Sequence, residues 1–236
     1  MDLRRGDGRA VTAVDRIVSR HSFSFGPHYD PSNLGFGVLI AHNEDTIQAP
    51  GGYDEHPHRD TEIVTWVLSG ALEHRDTAGH DGIVLPGTVQ RLSAGRGVRH
   101  SERTAAGADG LRMVQMWVRP DGLGETPEYG QADLSAALDG GGLVAAVSGR
   151  PGDDPALRIR QAGAAMLIAR LAKGQSVELP TAPMAHLFVA RGAVGLETDG
   201  PALTLAAGDA ARLLRAQGER VTAREPSEIL VWALHA

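Results

Sequence analysis

Strand signals dominate the hydrophobic pattern of this chain. Thr61-Glu62-Ile63-Val64-Thr65-Trp66-Val67-Leu68 is β-branched and largely apolar, the composition of a buried strand. Ser69-Gly70 can turn it back into Ala71-Leu72-Glu73-His74-Arg75, so the two segments predict a hairpin. Residues 76–82 form a polar, glycine-containing loop, and Ile83-Val84-Leu85 stops at Pro86-Gly87. Alternation resumes in Val89-Gln90-Arg91-Leu92, and residues 111–118 predict another strand, stopped by Pro120. Residues 121–127 read as a linker, and 132–138 predict one short helix between domains. Thirty glycines and 13 prolines fit a chain of short strands and many turns.

The second half repeats the plan of the first. Val67-Leu68-Ser69-Gly70-Ala71-Leu72 resembles Val189-Ala190-Arg191-Gly192-Ala193-Val194, a step of 122 residues from Gly70 to Gly192. The segment from Pro86 to Leu92 resembles that from Ala207 to Leu213, a step of 121 from Gly87 to Gly208. Nearly constant steps predict two copies of one β unit, each closing its sheet edges as a small barrel. The expected division is 1–130 and 131–236.

Length and charge narrow the function. The chain has 236 residues, 23 basic and 29 acidic side chains, and a formal net charge of −6. That balance argues against direct nucleic-acid binding or an anionic membrane surface, which need a clustered basic face. The absence of cysteine excludes disulfides, a thiolate nucleophile and thiolate-bound metal. No apolar run approaches the roughly 20 residues of a membrane helix, and the expectation is a cytoplasmic protein. No Gly-x-Ser-x-Gly elbow or phosphate-cradling glycine loop is present.

The chemistry sits in His56-Pro57-His58 and His100-Ser101-Glu102. In an extended strand, residues i and i+2 project from the same face. Two adjacent strands bearing these pairs would offer three imidazoles and one carboxylate to one point, a donor set suited to a first-row transition metal. Stepping the four positions by 121 to 122 residues lands on Glu178, Pro180, Val221 and Ala223. The second copy therefore lacks the constellation, and the fold itself does not demand these histidines.

These segments, taken with their surroundings, resemble the pirin family of the cupin superfamily. The resemblance is carried by His56-Pro57-His58-Arg59-Asp60-x-Glu62, Glu73-His74-Arg75-Asp76, Pro86-Gly87, Gln90, Ala94-Gly95-Arg96-Gly97 and His100-Ser101-Glu102. Arg20 to Gly26, Asn43-Glu44-Asp45 and Gln115-Met116-Trp117-Val118 extend it. Trp117-Val118-x-Pro120 and Thr126-Pro127-x-Tyr129 look closest to bacterial pirin-like quercetin 2,3-dioxygenases. The resemblance implies an all-β bicupin, two tandem jelly-roll β-barrels, with one divalent metal in the first. It implies His56, His58, His100 and Glu102 as ligands. It also implies Fe(II) as the usual metal, with nickel, cobalt, copper, manganese or zinc as substitutes.

The activity so implied is a dioxygenase acting on a small aromatic substrate and O2. A flavonol ring would open to a depside and carbon monoxide, with Glu102 taking the substrate hydroxyl proton. The resemblance equally implies a rival, a non-enzymatic metal- or redox-sensing regulator that binds a protein partner. Glu62 is expected to be structural or to orient a ligand imidazole. His74 and His80 are expected at a solvated strand end and loop, and His21, His28 and His42 in structural hydrogen bonds. Arg59 and Arg96 are open between an anionic substrate and structural ion pairs.

Overall fold

A computed structural model describes residues 1–197 and 200–235. Among the described residues it is built almost wholly of strands, with one short α-helix at Ser135–Leu138. No helix is long and apolar enough to cross a membrane. The chain divides into two compact units. One comprises residues 10–133 with 159–161; the other comprises 1–9, 134–158 and the chain from 162 onward. A boundary at 130 leaves out the role of the first residues. Asp2–Arg4 pairs with the Ala210–Ala216 strand, so strand pairing assigns the N-terminus to the second unit.

Each unit has one seven-stranded and one four-stranded sheet; the small sheets and the inner five strands of the large sheets follow the same order, and the edge strands of the large sheets differ. The first unit's large sheet runs Glu128–Asp133, Thr88–Ser93, Glu62–Gly70, Gly110–Val118, Leu39–Gln48, Ile17–His21, Ala10–Val14. Its small sheet runs Gly52–His58, Val98–Thr104, Leu72–Asp76, Asp81–Val84. The second unit's small sheet follows the same plan with Ser176–Glu178, Arg220–Ala223, Ala193–Leu196 and Leu203–Ala206. Each unit is thus a jelly roll of two separate sheets rather than the closed barrel expected from the repeat. The tandem cupin plan holds.

The core lies between the sheets. In the first unit Ile47, Val67, Leu111 and Met113 from the large sheet meet Leu72 and Val84 from the small one. In the second, Leu187, Val189, Ala211 and Val231 meet Val194, Leu196, Leu205, Val221 and Ala223. Fully burying a side chain of this size contributes about 1.5–3 kcal/mol, so both sandwiches are held mainly by this layer.

Register sharpens the internal correspondence. Val221 pairs with Leu196 as Glu102 pairs with His74, so Val221 is the counterpart of Glu102 rather than of His100. On the facing sheet Thr65 pairs with Gln90 and Gln115, and Leu187 pairs with Ala211 and Val231. A polar row in the first unit is an apolar row in the second.

The helix expected over 132–138 forms in its C-terminal part only. Glu128–Asp133 is a strand on the edge of the large sheet, paired with Thr88–Ser93, and only Ser135–Leu138 is helical. Backbone pairing to an open edge outweighs the weak helix preference of so short a segment.

The hairpin at Ser69-Gly70 forms, and Gly70 adopts φ +80. A β-carbon there would collide with the carbonyl oxygen of Gly110. Gly70→Ala is expected to cost about 1–3 kcal/mol, read as a lower urea midpoint. An unchanged midpoint would contradict this account of the turn.

Candidate metal centre

The Val98–Thr104 strand sits between Gly52–His58 and Leu72–Asp76. Its burial alternates strictly: Val98, His100 and Glu102 are buried, while Arg99 and Arg103 are exposed. Register places His100 opposite His56 on one side and Asp76 on the other. The pairing with Gly52–His58 shifts between His100 and Glu102, leaving Glu102 opposite Tyr53 and, on its other edge, His74.

Three imidazoles converge. Donor atoms of His56, His58 and His100 all lie within 4.8 Å of one another, and the Nε2 atoms of His56 and His100 are 3.1 Å apart. The His56 Nδ1–H donates to the Asp54 carbonyl at 2.7 Å. A carbonyl can only accept, so this bond leaves the lone pair of a neutral His56 on Nε2. The Nε2 of His58 and the Nδ1 of His100 are buried without a hydrogen-bond partner. Burial, then the neighbouring His100 and His56, push His58 down to about 4. Burial, then His56 and His74, push His100 down to about 3. Both rings are therefore neutral at physiological pH, the state in which imidazole binds metal. The residues fit a divalent cation: three imidazoles converge, His56 turns its lone pair to Nε2, and a buried nitrogen on each of His58 and His100 lacks a partner.

Glu102 is held from the facing sheet. Gln115 Nε2 donates to its Oε2 at 2.6 Å and Gln90 Nε2 to its Oε1 at 2.8 Å. The amide oxygens are themselves engaged, Gln115 by the Trp117 indole N–H at 3.0 Å and Gln90 by the Tyr129 hydroxyl at 3.1 Å. A buried carboxylate needs such donors. Glu102 is grouped with His74 and His100, within 4.8 Å, rather than with the three-histidine cluster. Sequence motifs include Gln90 and Gln115, but their grip on Glu102 became visible only across the two sheets.

His74 differs from expectation. It is not solvated; it is fully buried, stacked on Tyr129 at 4.4 Å and 5.3 Å from the His100 ring centre. The burial of Leu72 and His74 around Glu73 follows strand alternation, a signal already present in Leu72-x-His74-x-Asp76. His80 caps the loop, donating from Nδ1 and from its backbone N–H to Asp76. Burial alone would raise Asp76, but the His80 backbone N–H and the His74 and His80 rings hold its carboxyl below the ordinary value.

The other singled-out residues belong to neither donor group among the described residues. Glu62 accepts from the Ser93 hydroxyl at 2.7 Å, and burial raises its carboxyl; it belongs to neither ligand group among the described residues. His21 bonds Thr12 and Asn43, His28 bonds Thr12, and His42 bonds Ser22. Arg59 pairs with Asp60. Arg96 lines a shallow cavity of about 420 Å³ with Arg59, Arg99 and His58.

The depressed histidines fix a pH dependence. The unfolded chain takes up protons near 6.5 while folded His58 and His100 resist until about 4 and about 3. Their contribution is full above about 6.5 and is lost as pH falls through about 4 for His58 and toward about 3 for His100. In metal-free protein the urea midpoint should drop across that window, and the drop should shrink in His58→Gln and His100→Gln. An identical profile in both variants would contradict the neutral assignment.

A family model described as Pirin matches residues 5–118, and one described as quercetinase C-terminal cupin domain matches 145–234. A Mycobacterium tuberculosis protein named "Putative quercetin 2,3-dioxygenase" is 48% identical over 236 residues, covering 100% of this chain and 96% of its own length. The crystal structure of YhhW from Escherichia coli superposes with a TM-score of 0.88 at 30% identity, covering 100% of this chain and 99% of YhhW. A structure described as bacterial pirin YhhW in complex with nickel(II) gives 0.87 at 29%, with the same coverage. The sequence relation spans both units, and the chain belongs to the pirin family.

Proposed function

We propose that this protein holds one divalent first-row transition-metal ion on His56, His58, His100 and Glu102. We assign it to oxidative ring opening of a flavonol-like substrate by O2. Iron(II) is the foremost ion, with nickel, cobalt, copper, manganese or zinc as substitutes. The observation that carries the reading is the convergence of three imidazoles, two of them with buried, unpartnered nitrogens. The relative named "Putative quercetin 2,3-dioxygenase" and the nickel(II) complex of YhhW support it.

A bound ion of this kind orients a hydroxylated substrate and supplies redox capacity toward oxygen. The chain's own residues do the rest. His56 and His58 are only half-buried, which leaves the centre approachable from their side. Trp117 stands edge-on to His58 at 5.0 Å between ring centres and offers an aromatic wall to a planar ligand. Glu102 accepts one amide N–H at each oxygen, and each oxygen keeps a further lone pair. It is thus placed to take a substrate hydroxyl proton as general base.

The test is metal analysis with aerobic incubation of the metal-loaded protein with quercetin. Loss of flavonol absorbance with release of carbon monoxide is expected. His100→Ala should retain no metal and lose at least about 100-fold in rate. A metal-loaded protein that leaves a panel of flavonols untouched would sink the dioxygenase reading. Full metal retention by His100→Ala would sink the ligand set.

A further inference from the structure

His74 has a role that packing does not explain. Its Nε2 lies 3.3 Å from Asp76 Oδ2, and both side chains are fully buried. Asp76 also accepts the backbone N–H groups of Ala78 and His80 and the His80 ring. A carboxylate that takes so many donors acts as an acceptor, so the His74 proton sits on Nε2 and its lone pair on Nδ1. That Nδ1 is buried and has no hydrogen-bond partner. A carboxylate behind an imidazole is the arrangement that fixes the tautomer of a metal-binding histidine.

His100 faces two ways. Its Nε2 meets His56, while its Nδ1, on the other side of the ring, is buried and unpartnered like that of His74. Donor atoms of His74, His100 and Glu102 lie within 4.8 Å of one another. Stacking on Tyr129 accounts for a flat ring at this position but not for the Asp76 bond or the idle nitrogen. The second unit places Leu196 at the counterpart position, fully buried in its core. The fold can therefore fill this space with an apolar side chain.

We propose that His74, His100 and Glu102 form an inner ligand set, so that one divalent ion has two overlapping positions in the first unit. The outer position uses His56 and His58, the inner one His74, and His100 serves both. Two nitrogens and one carboxylate oxygen suit nickel(II) or zinc(II). The inference rests on the metal-centre reading above.

The full chain, stripped of metal and reloaded with nickel(II), tests it by metal content after dialysis and by competition with a chromophoric chelator. The double variant H56A/H58A should retain about one ion per chain. Adding His74→Leu, which copies the second unit's residue, should abolish that binding. Adding Asp76→Asn instead should weaken it about 10- to 100-fold, which keeps the test open if the leucine variant does not fold by circular dichroism. Binding by the leucine triple variant as tight as by H56A/H58A would overturn the inner set. So would a wild type that binds one ion beside an H56A/H58A that binds none, and the outer centre would then stand. A wild type that binds no nickel would overturn the metal centre and this inference together.

Discussion

The Val98–Thr104 strand is hydrogen-bonded along both edges, and this double pairing sets the separations within the site. Pairing brings His56 and Asp76 level with His100, and His74 level with Glu102. Alternation then turns all of them toward the interior. Slipping either neighbour by one residue would send its side chains to the solvent face and scatter the donors. Backbone pairing, rather than any side-chain contact, is what makes three imidazoles meet.

That geometry carries an electrostatic burden. Glu102, His74, Gln115 and Thr65 stand where the second unit places Val221, Leu196, Val231 and Leu187 in its core. Burial keeps His58 and His100 neutral, and two glutamine amides from the facing sheet hold Glu102. Leaving such groups without partners costs about 1–3 kcal/mol each. The unpartnered nitrogens of His58, His74 and His100 are thus the energetic weak point of the metal-free site and the reason a cation suits it. The two units share a strand plan, so the contrast isolates the polar layer: it puts titratable and amide groups where the second unit keeps apolar contacts.

Much of the fold was legible. The hairpin at Ser69-Gly70, the strands on either side of Pro86-Gly87 and the repeat all follow from alternation and glycine placement, because both are local. The stretch around residues 128–133 was not, since its strand exists only by pairing with Thr88–Ser93. The same holds for the N-terminal Asp2–Arg4, whose partner lies some 200 residues away. The charged neighbours Glu73 and Arg75 suggest a solvated His74, although alternation alone separates it from them.

The sequence by itself determined which residue types stand at i and i+2 in two segments, that the second copy lacks them, and the family to which the chain belongs. Only the tertiary structure decided which donors share a point. It turned His74 inward beside Glu102, set Gln90 and Gln115 across the sandwich as its clamp, and left Glu62 with Ser93. The physical reason is that spacing along a strand fixes a face, while the distance between faces and strands is set by register and sheet packing, which no single segment contains.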